Sequence, residues 1–191
     1  MKKTIALLLL ALFASSYSGF AQKQKLNLDV STLYFYGIDF SEVRIAGAYE
    51  NNDYFVRAFI GINGLFVSEP AKYDFSPLVK CDVETDITAM TQRTREMDRS
   101  RMRRDGISDA RVEDLVSAYS LPHDEGAGMV LIARLLDKDA GTGTFDIVFF
   151  DIATRDILYV KRVTKRAGGA GLRNYWAHTV YEMVRDRRLF S

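Results

Sequence analysis

Apolar and polar positions change period several times along this chain, and each change marks an element. Val30-Ser-Thr-Leu-Tyr-Phe-Tyr36 is rich in β-branched and aromatic residues and predicts a strand. Gly37–Ser41 is a short connection to a second strand, Val43-Arg-Ile-Ala46. Asn51-Asn52-Asp53 then offers helix caps, and Phe55, Phe59, Ile62 and Phe66 recur on one helical face, predicting a helix that runs to Val67. Gly61 and Gly64 fall off that stripe, where they either admit a neighbouring segment or face water. Ser68-Glu69-Pro70 ends the helix. From Val79, the residues Val79, Cys81, Val83 and Ile87 alternate with Lys80, Asp82, Glu84 and Asp86, predicting a strand with one wet face and Cys81 as a buried thiol.

Met90–Gly106 is the polar part of the chain, holding Arg93, Arg95, Arg99, Arg101, Arg103 and Arg104, with Met90, Met97 and Met102 as its only large apolar residues. That composition predicts a solvated helix or a mobile excursion with exposed arginines. Ser108 is placed to cap a short helix bearing Val112, Leu115, Val116 and Tyr119, which Pro122 ends. Three strands follow, Met129–Leu136, Thr144–Asp151 and Asp156–Thr164, separated by turn residues. Phe145-Asp-Ile-Val-Phe-Phe150 is apolar at nearly every position, the mark of a central strand. Ala167-Gly-Gly-Ala-Gly171 reads as a flexible joint before a last helix from Asn174 to Arg187, with Trp176, Val180, Met183 and Val184 on one face. The order β-β-α-β-α-α-β-β-β-α predicts an α+β fold: a single domain over residues 22–191, with a largely antiparallel sheet and helices packed on one face.

The N-terminus has a different pattern. Lys2 and Lys3, a Leu-rich run to Ala14, and Ser18-Gly19-Phe20-Ala21 form the three parts of an export signal, with cleavage expected after Ala21. The apolar run is about half the ~20 residues that span a bilayer, so no transmembrane segment is expected. Periplasmic or secreted localisation follows. The 191 residues hold 26 basic and 25 acidic side chains. Loss of Lys2 and Lys3 leaves them nearly balanced, so charge gives no reason to expect nucleic acid as a partner. Cys81 is the sole cysteine, which excludes an intramolecular disulfide and a multi-cysteine zinc site.

Four residue sets carry candidate chemistry. Gly168, Gly169 and Gly171, flanked by Arg166 and Arg173, follow a strand and precede a helix, as an anion-binding loop does, yet lack the P-loop and dinucleotide spacings. His123, in Leu121-Pro-His-Asp-Glu-Gly126, has two neighbouring carboxylates that favour its charged form, but such a loop is more often a plain hydrophilic turn. His178 falls opposite the Trp176 stripe and is expected to be exposed without a packed partner. The arginine-rich stretch can bind phosphates, although Glu96, Asp98 and Asp105 interrupt it and no aromatic residue is available for stacking. Asp82, Glu84 and Asp86 can serve a glycosidase or a divalent cation, but this alternation is routine on a wet strand face. No nucleophile elbow, His-Glu-x-x-His or Ser-x-x-Lys occurs. Catalytic residues, metal ligands and cofactors are therefore assigned to none of the chain.

Tyr36-Gly-Ile-Asp-Phe-Ser-Glu-Val43, Phe149-Phe-Asp-Ile-Ala-Thr-Arg-Asp-Ile-Leu158 and Arg173-Asn-Tyr-Trp176 resemble small exported Bacteroidetes proteins of unknown function. The hairpin Asp-x-x-Thr-x-x-Ile-Leu form with a terminal helix is also similar to envelope proteins of the curli-secretion and penicillin-binding-protein-activator type. That resemblance implies a protein that binds partners, another envelope protein or polymer, and does not catalyse. Three readings follow: a non-catalytic macromolecule-binding or assembly module of the cell envelope; a small ligand- or anion-binding protein or hydrolase using the 168–171 loop or the His123 loop; and a fibre-like subunit, which requires an exposed edge strand.

Overall fold

The computed structural model describes residues 26, 28–103 and 112–190. The export signal, its cleavage point, Arg104 and the Ser108 cap lie outside the described residues.

Among the described residues six strands form one mixed sheet: β1 (Thr32–Asp39), β2 (Arg44–Ala46), β3 (Asp82–Thr85), β4 (Ala127–Asp137), β5 (Thr142–Asp151) and β6 (Ile157–Arg166). The strand order is β3-β1-β4-β5-β6, with β2 also on β4. β1 is parallel to β3 and β4, while β4–β5 and β5–β6 are antiparallel hairpins. The helices are α1 (Asn52–Ser68), α2 (Ser76–Val79), α3 (Thr88–Glu96), α4 (Val112–Ser117) and α5 (Leu172–Val184). This is the expected α+β single domain with nearly the expected order, the one-turn α2 being the addition. The sheet, however, is mixed and not largely antiparallel, since β1 pairs in parallel with β3 and β4 and β2 in parallel with β4.

β1 and β2 lie end to end along the same side of β4, β1 against Ala127–Ile132 and β2 against Leu135–Asp137. Phe40–Val43 interrupts them. Within β1 the register slips between Phe35 and Ile38 around Gly37, whose φ is +85°. Past the end of β3, which pairs with β1 only as far as Phe35, buried Asn63 of α1 takes up both backbone groups of Ile38. Its Oδ1 accepts from the Ile38 N–H at 2.8 Å, and its Nδ2 donates to the Ile38 carbonyl at 3.0 Å. A Cβ at position 37 would stand 2.8 Å from that Oδ1, so the residue must be glycine on two grounds.

The core has two parts because β4 and β5 are apolar on successive residues and need cover on both faces. Phe55, Phe59 and Ile62 of α1 and Trp176 and Val180 of α5 pack with Phe35, Leu131 and Phe149 on the first face. On the second, Leu115 and Val116 of α4, Tyr119 and Met90 of α3 cover Tyr36, Val130, Val148 and Phe150. The two long helices thus share one face as expected, but α4 packs on the opposite one, and Val148 belongs to that second core. β5 is an interior strand flanked by β4 and β6, and β4 stands at the middle of the order. Gly61 and Gly64 divide between the two roles foreseen for them. A Cβ on Gly61 would lie 2.9 Å from Arg173 Cδ of α5, whereas Gly64 faces open space.

Two further expectations need correction. Val79 closes α2 and β3 begins only at Asp82, so the alternation from Val79 spans two elements, and Cys81 between them is half-buried. Its thiol is pushed above its ordinary value by burial, with Asp82 adding to the shift. The described part of the arginine-rich stretch opens as the helix α3, with Arg95, Arg99 and Arg103 exposed as expected, but it is tied to the rest of the fold and is not a free excursion. Met90, Met97 and Met102 are all buried, and the Met102 carbonyl accepts from the Ile45 N–H of β2 at 2.9 Å. Its arginines find carboxylates elsewhere in the chain: Arg93 pairs with Asp39, Arg99 with Asp53 and Arg101 with Glu42. Three flexible thioethers suffice as anchors where charge neutralisation comes from outside the segment.

Candidate functional site

The break between β1 and β2 gathers the densest polar cluster. Asp39 is fully buried there, and each of its oxygens is used. Oδ1 accepts from the Ser41 N–H at 2.8 Å, while Oδ2 accepts from Tyr119 Oη at 3.0 Å and Arg93 Nε at 3.2 Å. Arg93 also donates to Ser41 Oγ at 3.2 Å and lies 5.0 Å over the Tyr119 ring. Burial holds the Tyr119 hydroxyl well above its ordinary value and the Asp39 carboxylate reinforces this against Arg93, so Tyr119 remains a donor. With both oxygens hydrogen-bonded, the cluster ties α3 and the segment after α4 to the strand break. It is a structural junction.

A second buried carboxylate, Asp146 of β5, receives a two-pronged clasp from Arg162 of β6, at 2.7 Å from Nε and 2.9 Å from Nη2. Arg134 Nε lies 3.5 Å away. The clasp raises the Arg162 value above that of an ordinary guanidinium, hydrogen bonding to Asp146 outweighing burial. Arg162 itself remains half exposed, with its side chain 55% accessible on the outermost strand.

His123 is absorbed by packing. Its ring stacks on Tyr34 at 4.0 Å, and Nδ1 shares a hydrogen bond of 3.1 Å with Tyr36 Oη. The Tyr36 hydroxyl is raised above its ordinary value chiefly by burial. His178 has partners after all: Glu182 one turn on at 3.5 Å, and the Tyr181 ring at 5.8 Å.

Gly168, Gly169 and Gly171 lie together in the connection between β6 and α5. The Ala167 N–H donates to the Gly141 carbonyl and the Gly168 N–H to the Tyr175 carbonyl. Arg173 turns back over Gly61 and donates to Asn174 Oδ1 at 3.1 Å, while Arg166 stands exposed at the end of β6. Lys165 is held by Asp186 at 2.6 Å, which lowers the Asp186 carboxyl below its usual range.

Two clefts open elsewhere, of about 240 Å³ beside Phe35, Phe66, Tyr73 and Phe75, and about 230 Å³ beside Pro77, Leu78, Arg187 and Phe190. Both fall below the ~300–1,000 Å³ of common small-molecule sites. Neither borders His123 or the 168–171 turn. Among the described residues no cluster of His, Cys, Asp and Glu is arranged to hold a metal, and no helix is long and apolar enough to cross a membrane.

The two outer strands remain. β3 has exposed Asp82 and Glu84 on the face that carries Tyr34, with Asp86 next along. β6 is ten residues long and bears Lys161, Arg162, Lys165 and Arg166, with Arg162, Thr164 and Arg166 on the Asp146 face. Among the described residues nothing pairs with the outer side of either strand. One edge is acidic and the other basic. Comparison of the chain with protein-family models, curated proteins and solved structures finds no match.

Proposed function

We propose that this chain is an exported cell-envelope protein that binds another macromolecule without catalysis, and that β6 is its contact strand. The observation that carries this is the outer edge of β6, ten residues long, basic and unpaired among the described residues. An open edge of that length is a ready template for strand addition: backbone groups provide affinity and alternate side chains provide selectivity. Supporting it, His123, Asp39, Arg93 and Tyr119 are committed to packing and internal hydrogen bonds. The interior strands β4 and β5 hold the edge rigidly, as a binding surface requires.

A photo-activated cross-linker at Thr164, exposed near the C-terminal end of β6, tests the reading in envelope fractions of producing cells. Adducts from Thr164 that are missing when the cross-linker stands at exposed Val67 of α1 are the expected result. Equal labelling from both positions, or a chain confined to the cytoplasm, would refute it.

A further inference from the structure

We infer that the two outer strands recognise each other between copies: β3 of one molecule adds in parallel to the outer edge of β6 of the next, continuing the sheet head to tail. This rests on β6 being the contact strand and names its occupant.

Strand direction permits the pairing. β3 runs with β1 and β4, and two antiparallel steps from β4 return β6 to the same direction. A copy displaced beyond β6 without turning over therefore presents its β3 parallel to β6, with like faces adjoining. On that shared face Asp82 and Glu84 come beside Arg162, which Asp146 already clasps, Thr164 and exposed Arg166. Lys80 does not intrude, because it caps α2 in a left-handed conformation ahead of the strand.

Charge selects this pairing over the alternatives. Two β6 edges would oppose cations and two β3 edges would oppose carboxylates, and directly opposed like charges destabilise a ladder. Only the mixed pair satisfies both. The contact is heterologous, so it generates an open array, with sheet twist of roughly 20–25° per strand rotating successive copies. β3 has four residues, so the ladder is short. The contact falls below the ~800 Å² per partner of stable complexes and makes association weak, concentration-dependent and salt-sensitive.

Sedimentation velocity of the mature chain over a wide concentration range, at low and high salt, reads the association. Wild type should sediment faster with concentration, less so at high salt. Asp82→Lys with Glu84→Lys makes both edges basic, and Thr164→Glu with Arg166→Glu turns the shared face of β6 acidic like that of β3. Each variant alone should associate at least about tenfold more weakly, and an equimolar mixture should recover association because complementary edges meet again. The single variants Glu84→Lys and Arg166→Glu, at exposed positions, carry the same test should a double variant misfold. A wild-type monomer at every concentration, or variants that associate as wild type does, would overturn the inference. Cross-links from Thr164 separate the two readings. Links to β3 of another copy support self-pairing, links only to a different envelope protein overturn it while keeping strand addition, and no links overturn both.

Discussion

Replacing Arg93 by Met should destabilise the protein several times more than replacing Arg99 by Met, although both arginines lie in one polar stretch. Methionine preserves most of the aliphatic stem, so the comparison isolates the guanidinium. Arg93 faces Asp39, whose carboxylate is completely buried, while its own side chain is 25% exposed. Removing one partner of a buried pair costs about 3–5 kcal/mol. Partial access of water to the vacated place, and the remaining Ser41 and Tyr119 donors, bring the expectation to about 2–4 kcal/mol. Arg99 and Asp53 are each about half exposed, at 49% and 55%. Such a pair contributes about 0–1 kcal/mol. Urea unfolding followed by fluorescence of Trp176, buried at 1% exposure, measures both. The midpoint should fall for Arg93→Met at constant slope. Combining Arg93→Met with Asp39→Asn should cost less than the sum of the two, since the charge left behind by one change is removed by the other. Equal losses for Arg93 and Arg99 would mean that burial does not set the strength of these pairs.

Asn63→Leu strips both backbone groups of Ile38 of their partner, at about 1–3 kcal/mol for each buried group left unpaired. A midpoint within about 0.5 kcal/mol of wild type, the range of neutral surface changes, would refute this bracing role. Phe149→Ala, which removes a ring packed edge-on against Phe190 and Tyr159, should cost about 3–5 kcal/mol in the same assay. Alkylation of Cys81 should rise with pH to a midpoint above the ~8.5 of a free thiol, because burial disfavours the thiolate. A midpoint at or below the free-thiol value would refute that effect of burial. Intact-mass analysis of the protein from its own envelope should give a chain beginning at Gln22, and a full-length species would refute export.

Most of the architecture was legible because its signals are local. Phe55, Phe59, Ile62 and Phe66 trace one helical face, and the apolar runs in β4 and β5, short and bounded by turn residues, read as strands buried on both sides. The same doubly apolar runs carried a consequence that the element order concealed, since a second buried face requires its own cover, and short α4 supplies it. Asn63 gave no signal at all. It sits one residue from Ile62 on a helix and looks like an exposed amide until the fold brings it against Ile38, 25 positions away in the chain, whose two backbone groups it takes up. The arginine stretch misled for a related reason. Its own acids, Glu96, Asp98 and Asp105, are too few to neutralise it, but Asp39, Glu42 and Asp53 arrive through the fold.

The site was legible as composition and hidden as topology. Alternation at Asp82, Glu84 and Asp86 marks a wet strand face equally well in the middle of a sheet or at its rim, because period-two patterning records which face meets water and not which strand stands outermost. Edge status depends on pairing partners far away in sequence: β3 is outermost because β1 spends its other side on β4, and β6 because β5 lies between it and the centre. The charges acquire meaning only with that placement. A basic strand inside a sheet would need internal counter-ions, as Arg162 has in Asp146. On the rim, exposed Arg166 beside the clasped Arg162 disfavours pairing of β6 with its own kind, and the proposed partner, β3, is the edge that carries the opposite charge.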